Sequence, residues 1–195
     1  MRSTRSLPPE VRTARLVLRR QRAEDAALVK EAVDASLAHL RASVGWARKA
    51  PFPLAVLTAR LTASAAAFDA GTAWAFNILD SAQARLLGVA GLEPGDAALV
   101  RLVGPGIVET GYWLRADATG QGYATEAAGA LTGLAFSRLG ATRVVICHDP
   151  VNAPSEGVPR RLGFACLGIV PDAVLPGREA ADGSVRPATK VWVKV

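Results

Sequence analysis

Residues 107–147 read as a strand, a two-glycine loop, a helix and a second strand, and no other stretch restricts the fold as much. Ile107 to Leu114 is a strand candidate. Thr119-Gly120-Gln121-Gly122 is a short glycine loop. Beyond it Ala124, Ala127, Ala128, Leu131, Leu134 and Ala135 recur at helical spacing, and Gly140 supplies the stop. Arg143-Val-Val-Ile-Cys147 then carries a nearly unbroken apolar run, the pattern of a sheet covered on both faces. The architecture that follows is α/β (α+β), a central mixed sheet flanked by helices.

The flanking sequence fits that frame. Arg15-Leu-Val-Leu-Arg19 alternates as an opening strand, and Glu24-Asp25 place acids in the first turn of a helix with an apolar stripe of Leu28, Val29, Ala32 and Val33. A second helical stretch runs from Leu37 to Ser43. A proline-bounded loop over 45–53 holds Trp46, and residues 54–69 read as a helix stopped by Gly71. Ala73 to Leu79 and Leu86 to Leu92 are strands; Asp80-Ser81 and Pro94-Gly95-Asp96 are turn chemistry. Ala153 to Leu162 holds a short helix weakened by Gly157 and Pro159. Phe164 to Val170 and Thr189 to Val195 close a sheet of about seven strands, with a loop from Pro171 to Pro187 between them. There is no internal repeat, so residues 14–195 are expected to form one domain behind a basic N-terminal tail, 1–13.

The net charge of +6 suggests nucleic acid until it is located. Residues 1–22 hold seven arginines against one acid, Glu10, while residues 23–195 hold 16 basic and 16 acidic groups. The basicity belongs to one end, as a solvated tail or an anion-binding arm, and no aromatic–basic interleaving supports nucleic-acid readout. No apolar run reaches the roughly 20 residues of a membrane span. Met1 to Glu10 lack the apolar core of a secretory signal. Cys147, Cys166, His39 and His148 have no metal-ligand spacing. The expectation is a reduced, cytoplasmic protein without metal, nucleic acid or membrane as partner.

A strand, Thr119-Gly-Gln-Gly-Tyr-Ala124 and a helix can bind an anion: glycines let the backbone approach phosphate oxygens, and the first-turn N–H groups point at them. Glu126 sits near that end, where helical geometry can aim it away. A dinucleotide fingerprint fits in part, with Gly120, Gly122 and Thr125 in its glycine slots and Asp149 near the ribose-binding position. Only 46 residues follow Asp149, however, too few for the rest of such a fold. No lysine follows the glycines, which excludes a Walker loop.

Several separated segments resemble the GNAT superfamily of N-acyltransferases. Gly111-Tyr-Trp-Leu-Arg-Ala-Asp-Ala-Thr-Gly-Gln-Gly-Tyr-Ala-Thr-Glu-Ala127 resembles its strand, pyrophosphate loop and helix. Asn152-Ala-Pro-Ser155 and Arg161-Leu-Gly-Phe164 are similar to the signature of its RimJ/RimL-type branch. So are Arg15-Leu-Val-Leu-Arg19, Glu24-Asp25, and Ser36-Leu-Ala-His-Leu40 with Trp46 downstream. The resemblance spans nearly the whole chain in the branch's order. It implies a single GNAT-like domain with strands splayed at a CoA cleft, and acetyl-CoA (acyl-CoA) as co-substrate. The implied reaction is N-acetyl transfer to an amine, a protein N-terminus or a small amine, by direct attack in a ternary complex. A homodimer is left open. The chain departs from the pattern at Thr119, where relatives carry Gln or Arg, and at Pro159, where many carry a tyrosine that protonates the leaving thiolate. These departures keep a non-catalytic CoA-binding module as the rival, and a dinucleotide-binding oxidoreductase as a distant third.

The resemblance implies that the strand from Ile107 supplies a backbone N–H to the thioester and diverges from Arg143 to Cys147. Tyr112, Trp113, Leu114, Thr119, Gly120, Gln121, Gly122, Tyr123, Ala124 and Thr125 are the expected CoA-binding residues, joined by Asn152 and Ser155. Glu109 is the candidate general base, acting through water, or else a surface carboxylate. Ser155 is the candidate partner of the thiolate, or else a helix cap. Asn152 would bind pantetheine amides, or else serve a turn. Trp46 and Glu109 would line the acceptor side, where Trp46 could equally be core. His148 and Cys147 are expected to be structural.

Overall fold

The computed structural model describes residues 6–42, 44–176 and 188–195. Eight strands form one sheet: β1 (Glu10–Arg12), β2 (Leu16–Arg20), β3 (Trp74–Asp80), β4 (Leu86–Pro94), β5 (Ile107–Leu114), β6 (Arg143–His148), β7 (Ala165–Pro171) and β8 (Ala188–Lys194). Their order is β1-β2-β3-β4-β5-β6-β8-β7, antiparallel except for the parallel pair β5/β6. The helices are α1 (Ala26–Ala35), α2 (Leu37–Arg41), α3 (Leu54–Ala70), α4 (Ala97–Val103), α5 (Tyr123–Leu139) and α6 (Ala153–Arg161).

Alternation along the strands decides which layer covers which face. Leu16 and Leu18 of β2 join the core under α5, with Phe76, Ile146, Leu131 and Ala135. Val17 between them points to the opposite core, where α1 and α3 contribute Val29, Val33, Leu57 and Leu61. A third cluster joins Leu99 of α4 to Val145, Val191 and Val193. The apolar run in β6 is thus divided between two faces, Val144 and Ile146 to one and Val145 to the other.

Three differences from the sequence expectation have physical causes. The eighth strand of the sheet is one that the sequence reading omits: Glu10–Arg12 pairs with β2, with Glu10 opposite Arg19, so the sheet begins inside the segment read as tail. Val11 is the only apolar residue of β1, and a ladder at a sheet edge leaves little hydrophobic pattern to read. Leu7, upstream of it, is buried. Second, Pro94-Gly95-Asp96 does not merely turn the chain: Asp96 accepts the Leu99 amide at 2.8 Å and caps α4, which the sequence reading omits. Third, α6 completes nine residues despite Gly157 and Pro159. The tail residues 1–5, Ser43 at the end of the second helical stretch, and residues 177–187 of the long loop lie outside the described residues.

Candidate active site

Strands β5 and β6 pair only at Ile107–Arg143, Val108–Val144 and Glu109–Val145. Beyond Glu109, β5 continues to Leu114 and β6 to His148 without pairing to each other. The edge of β5 past Glu109 therefore turns backbone donors and acceptors into an opening between the strands. A cavity of about 620 Å³ occupies this region, within the range of small-molecule sites.

The rim of the cavity is the loop between β5 and α5. Gly120 and Gly122 have φ of 74° and 81°, a region that side chains rarely adopt, which explains why glycine stands at both positions. The first intrahelical bond of α5 is from Glu126 N to Gly122 O. The amides of residues 123–125 precede it and have no helical acceptor, so the positive end of the α5 dipole faces the rim. Arg15 holds the loop from outside: its Nε donates to Glu126 Oε2 at 2.7 Å, its NH1 to the Gln121 carbonyl at 2.9 Å, and its guanidinium lies 4.8 Å from the centre of the Tyr123 ring. Glu126 also accepts from the Arg15 amide and from Thr13 Oγ1. Burial opposes ionisation of Glu126, but these hydrogen bonds outweigh it and hold the carboxyl below its ordinary value.

The opposite wall is α6. Asn152 caps it, its Oδ1 accepting the Ser155 amide at 3.3 Å. Pro159 has no N–H for the carbonyl of Ser155, four residues earlier. The Tyr112 hydroxyl donates to that carbonyl at 3.2 Å and lies 3.1 Å from Ser155 Oγ. Burial pushes Tyr112 up to about 12, so it stays protonated and able to donate. Arg161 also faces the cavity, its Nε donating to Thr125 Oγ1 at 3.1 Å. A side chain at position 157 would crowd this guanidinium at 2.9 Å, so Gly157 makes room for it.

Tyr112, Trp113, Leu114, Thr119, Gly120, Gln121, Gly122, Ala124, Thr125, Asn152 and Ser155 all line this one cavity. Tyr123 does not; its ring lies under Arg15, leaving only its amide at the rim. Thr119 Oγ1 donates to the Ala116 carbonyl at 2.8 Å, so its hydroxyl proton serves the loop. Sequence reasoning gave no role to His39, Pro154, Val158 or Arg161, which line the cavity too. The signal for Arg161 is a cation at the end of a helix whose start carries Asn152 and Ser155.

The acetyltransferase (GNAT) domain model matches residues 15–165, the span that contains the splayed pair, the glycine loop and α6. The chain belongs to the GNAT acetyltransferase family. No curated protein matches it. Its fold is similar to that of RimL, a ribosomal-protein alpha-N-acetyltransferase solved in complex with coenzyme A. There the TM-score is 0.77 at 20% identity, over 94% of this chain and 95% of that one. MccE, a microcin self-immunity acetyltransferase in complex with acetyl-CoA and AMP, is similar at a TM-score of 0.79 and 19% identity, over 99% of both chains. Mycobacterium smegmatis RimJ, in complex with a CoA disulfide, is similar at 0.71 and 22%, over 92% of this chain and 81% of that one. These neighbours bear out the GNAT-like, RimJ/RimL-type architecture, and the dinucleotide-binding alternative falls away.

In this GNAT domain the remaining candidates stand apart from the main cavity. Glu109 is 9% exposed, at the last β5–β6 pair and opposite Glu93 of β4. Trp46 meets Trp113 edge-on at 5.8 Å, beside a second, smaller cavity. His148 is buried, its Nε2 accepting from Trp192 Nε1 at 3.0 Å and its Nδ1 lying 2.8 Å from the Asp149 carbonyl, an arrangement that fixes the proton on Nδ1. Among the described residues no His, Cys, Asp or Glu cluster could hold a metal ion, and no helix is long and apolar enough to cross a membrane.

Proposed function

We propose that this protein transfers an acetyl group from acetyl-CoA to a primary amine by direct attack in a ternary complex. The observation that carries the reading is the single cavity in which the splayed edge of β5, the glycine loop and start of α5, and the hydroxyl of Ser155 converge. Amides of residues 120–125 and the Arg161 guanidinium suit the CoA diphosphate, and the Asn152 amide suits pantetheine. The free edge of β5 offers an N–H to the thioester oxygen as negative charge develops there.

In the reaction the amine nitrogen attacks the thioester carbon, the C–N bond forms, and the C–S bond breaks with the electron pair leaving on sulfur. Glu109 takes the amine proton through water. Ser155 turns its hydroxyl from the Tyr112 oxygen to the departing thiolate and stabilises it by a hydrogen bond, at the place of the tyrosine that Pro159 replaces, and the thiolate then takes its proton from solvent. RimL is by name a ribosomal-protein alpha-N-acetyltransferase, which supports a protein N-terminus as one acceptor class beside small amines. The setting we propose is the cytoplasm; the homodimer that the resemblance leaves open is read by sedimentation of the purified chain.

The test is thiol release from acetyl-CoA with a panel of amines, and mass spectrometry of the products. Acetyl-CoA binding with no acetylated product from any amine would leave the CoA-binding module as the better reading.

A further inference from the structure

A second cavity, of about 220 Å³, lies between α1, α3 and the sheet. Its floor is Val89 of β4 and Trp113 of β5, which are cross-strand partners. Trp113 also lines the CoA cleft, so one indole separates the two cavities. Trp46 and Phe52 form the wall, with their ring centres 6.2 Å apart. Apolar cavities of about 150 Å³ hold a benzene ring. This one has room for a ring and a short chain.

The path from this cavity to the reacting atoms is written in the strand. Side chains of β5 alternate, so Glu109, Gly111 and Trp113 share one face, and their partners on β4 are Glu93, Gly91 and Val89. No atom beyond its chain neighbours lies within 4 Å of where a Cβ of Gly111 would sit. The face is therefore open between Trp113 and Glu109, at one two-residue step of about 7 Å from each. A ring beside Trp113 joined by two carbons to an amine puts the nitrogen over Gly111, between the thioester edge and Glu109.

Charge then selects among such amines. Arg60 lines the cavity, is exposed, and lies 4.1 Å from the centre of the Phe52 ring. Among the described residues it makes no ion pair. A cation in that place favours an anionic group at the end of the ligand remote from the amine and disfavours a cationic one. We infer that this cavity is the acceptor subsite and that it selects primary amines with an aromatic body bearing an acidic group at its far end. The inference rests on the acyltransfer reading of the neighbouring cleft.

The test is calorimetry on the full chain with four probes: methylamine, phenethylamine, and phenethylamine carrying either a para-carboxylate or a para-trimethylammonium group. The expected order of affinity is carboxylate, then phenethylamine, then trimethylammonium, with methylamine unbound. Arg60→Gln should weaken the carboxylate about two- to fivefold, the range of an exposed ion pair, and leave phenethylamine alone. Val89→Phe should fill the cavity and abolish aryl-amine binding while acetyl-CoA still binds, the latter reporting that the variant is folded. Methylamine bound as well as phenethylamine, trimethylammonium bound as well as carboxylate, or a folded Val89→Phe that keeps its aryl amines would each overturn the inference. Failure of acetyl-CoA itself to bind the unaltered protein would instead sink the acyltransfer reading, and aryl-amine binding would still be measurable.

Discussion

The Tyr112 hydroxyl lies 3.1 Å from Ser155 Oγ and 3.2 Å from the Ser155 carbonyl oxygen. One phenol thus donates the hydrogen bond that Pro159 withholds from α6 and accepts from the Ser155 hydroxyl beside the CoA cleft. Ser155→Ala is expected to lower kcat by about ten- to a hundredfold, at or just below the low end of typical acid–base effects, with little change in acetyl-CoA affinity. Tyr112→Phe should lower kcat by a smaller factor, and it should destabilise the protein by about 1 kcal/mol, because the Ser155 carbonyl loses its donor. If the two act as a unit, the double variant is no slower than Ser155→Ala. Multiplying losses in the double-mutant cycle would show that the two hydroxyls act separately.

Arg15, just before β2, pairs with Glu126 in the first turn of α5, 111 residues away in sequence, and also holds the glycine loop at the Gln121 carbonyl. Arg15→Gln or Glu126→Gln should raise KM for acetyl-CoA several-fold and leave kcat within about a factor of two, since the pair touches the loop and not the reacting atoms. The carboxyl of Glu126 sits below its ordinary value of 4.5, so the stability it contributes is present above that value and lost as pH falls through the lower, folded-state value. Acetyl-CoA affinity of the native chain should therefore hold down to pH 4.5 and fall off only below it, as Glu126 takes up its proton at the lowered value. Glu126→Gln should lack that limb; the same acid limb in both proteins would mean another carboxylate governs the loop.

Much of the site was legible because its parts are local in sequence. Gly120 and Gly122 announce their left-handed backbone, and Asn152 with Ser155 announces a helix start. What the sequence hides is pairing over distance. Nothing in Thr13 or Arg15 says that Glu126 will meet them, and Pro159 reads as a helix breaker until Tyr112 is seen to take up the orphaned carbonyl. The same holds for β1, which exists through its ladder to β2 and not through a pattern of its own. Trp46 could be read as core or pocket because an indole that lines a cavity and one that fills a core look alike along the chain; packing against Trp113 and Phe52 makes it a wall.

Arg161 carries no acid partner in its contact with Thr125 Oγ1 and points its charge at the cleft that would hold the CoA phosphates. Arg161→Gln should weaken acetyl-CoA binding about tenfold, the strength of one charge-assisted contact to phosphate. The native affinity should drop with added salt more steeply than that of the variant, because one screened attraction has been removed. Equal salt slopes would place Arg161 in packing against α5 and not in phosphate recognition.

Glu109 is buried where β5 and β6 part, on the face of β5 that it shares with Gly111 and Trp113. An amine enters such a site largely as an ammonium, since free α-amines and lysine-like amines hold their protons to roughly pH 8 and 10. Attack on the thioester carbon requires that proton to leave, and in the mechanism proposed above the Glu109 carboxylate takes it through water. Glu109→Gln should therefore lower kcat/KM at neutral pH by about a hundredfold, in keeping with general-base effects, and leave acetyl-CoA affinity unchanged. The loss should shrink as pH rises toward the amine's own value, where bulk solvent deprotonates the nucleophile without help. It should also shrink at a lower pH for a peptide α-amine than for phenethylamine, whose proton is held more tightly. The decisive measurement is the pair of pH–rate profiles, one for each acceptor. A loss that stays constant across pH would make Glu109 a residue that positions the amine, and an unchanged rate would give the proton to another group.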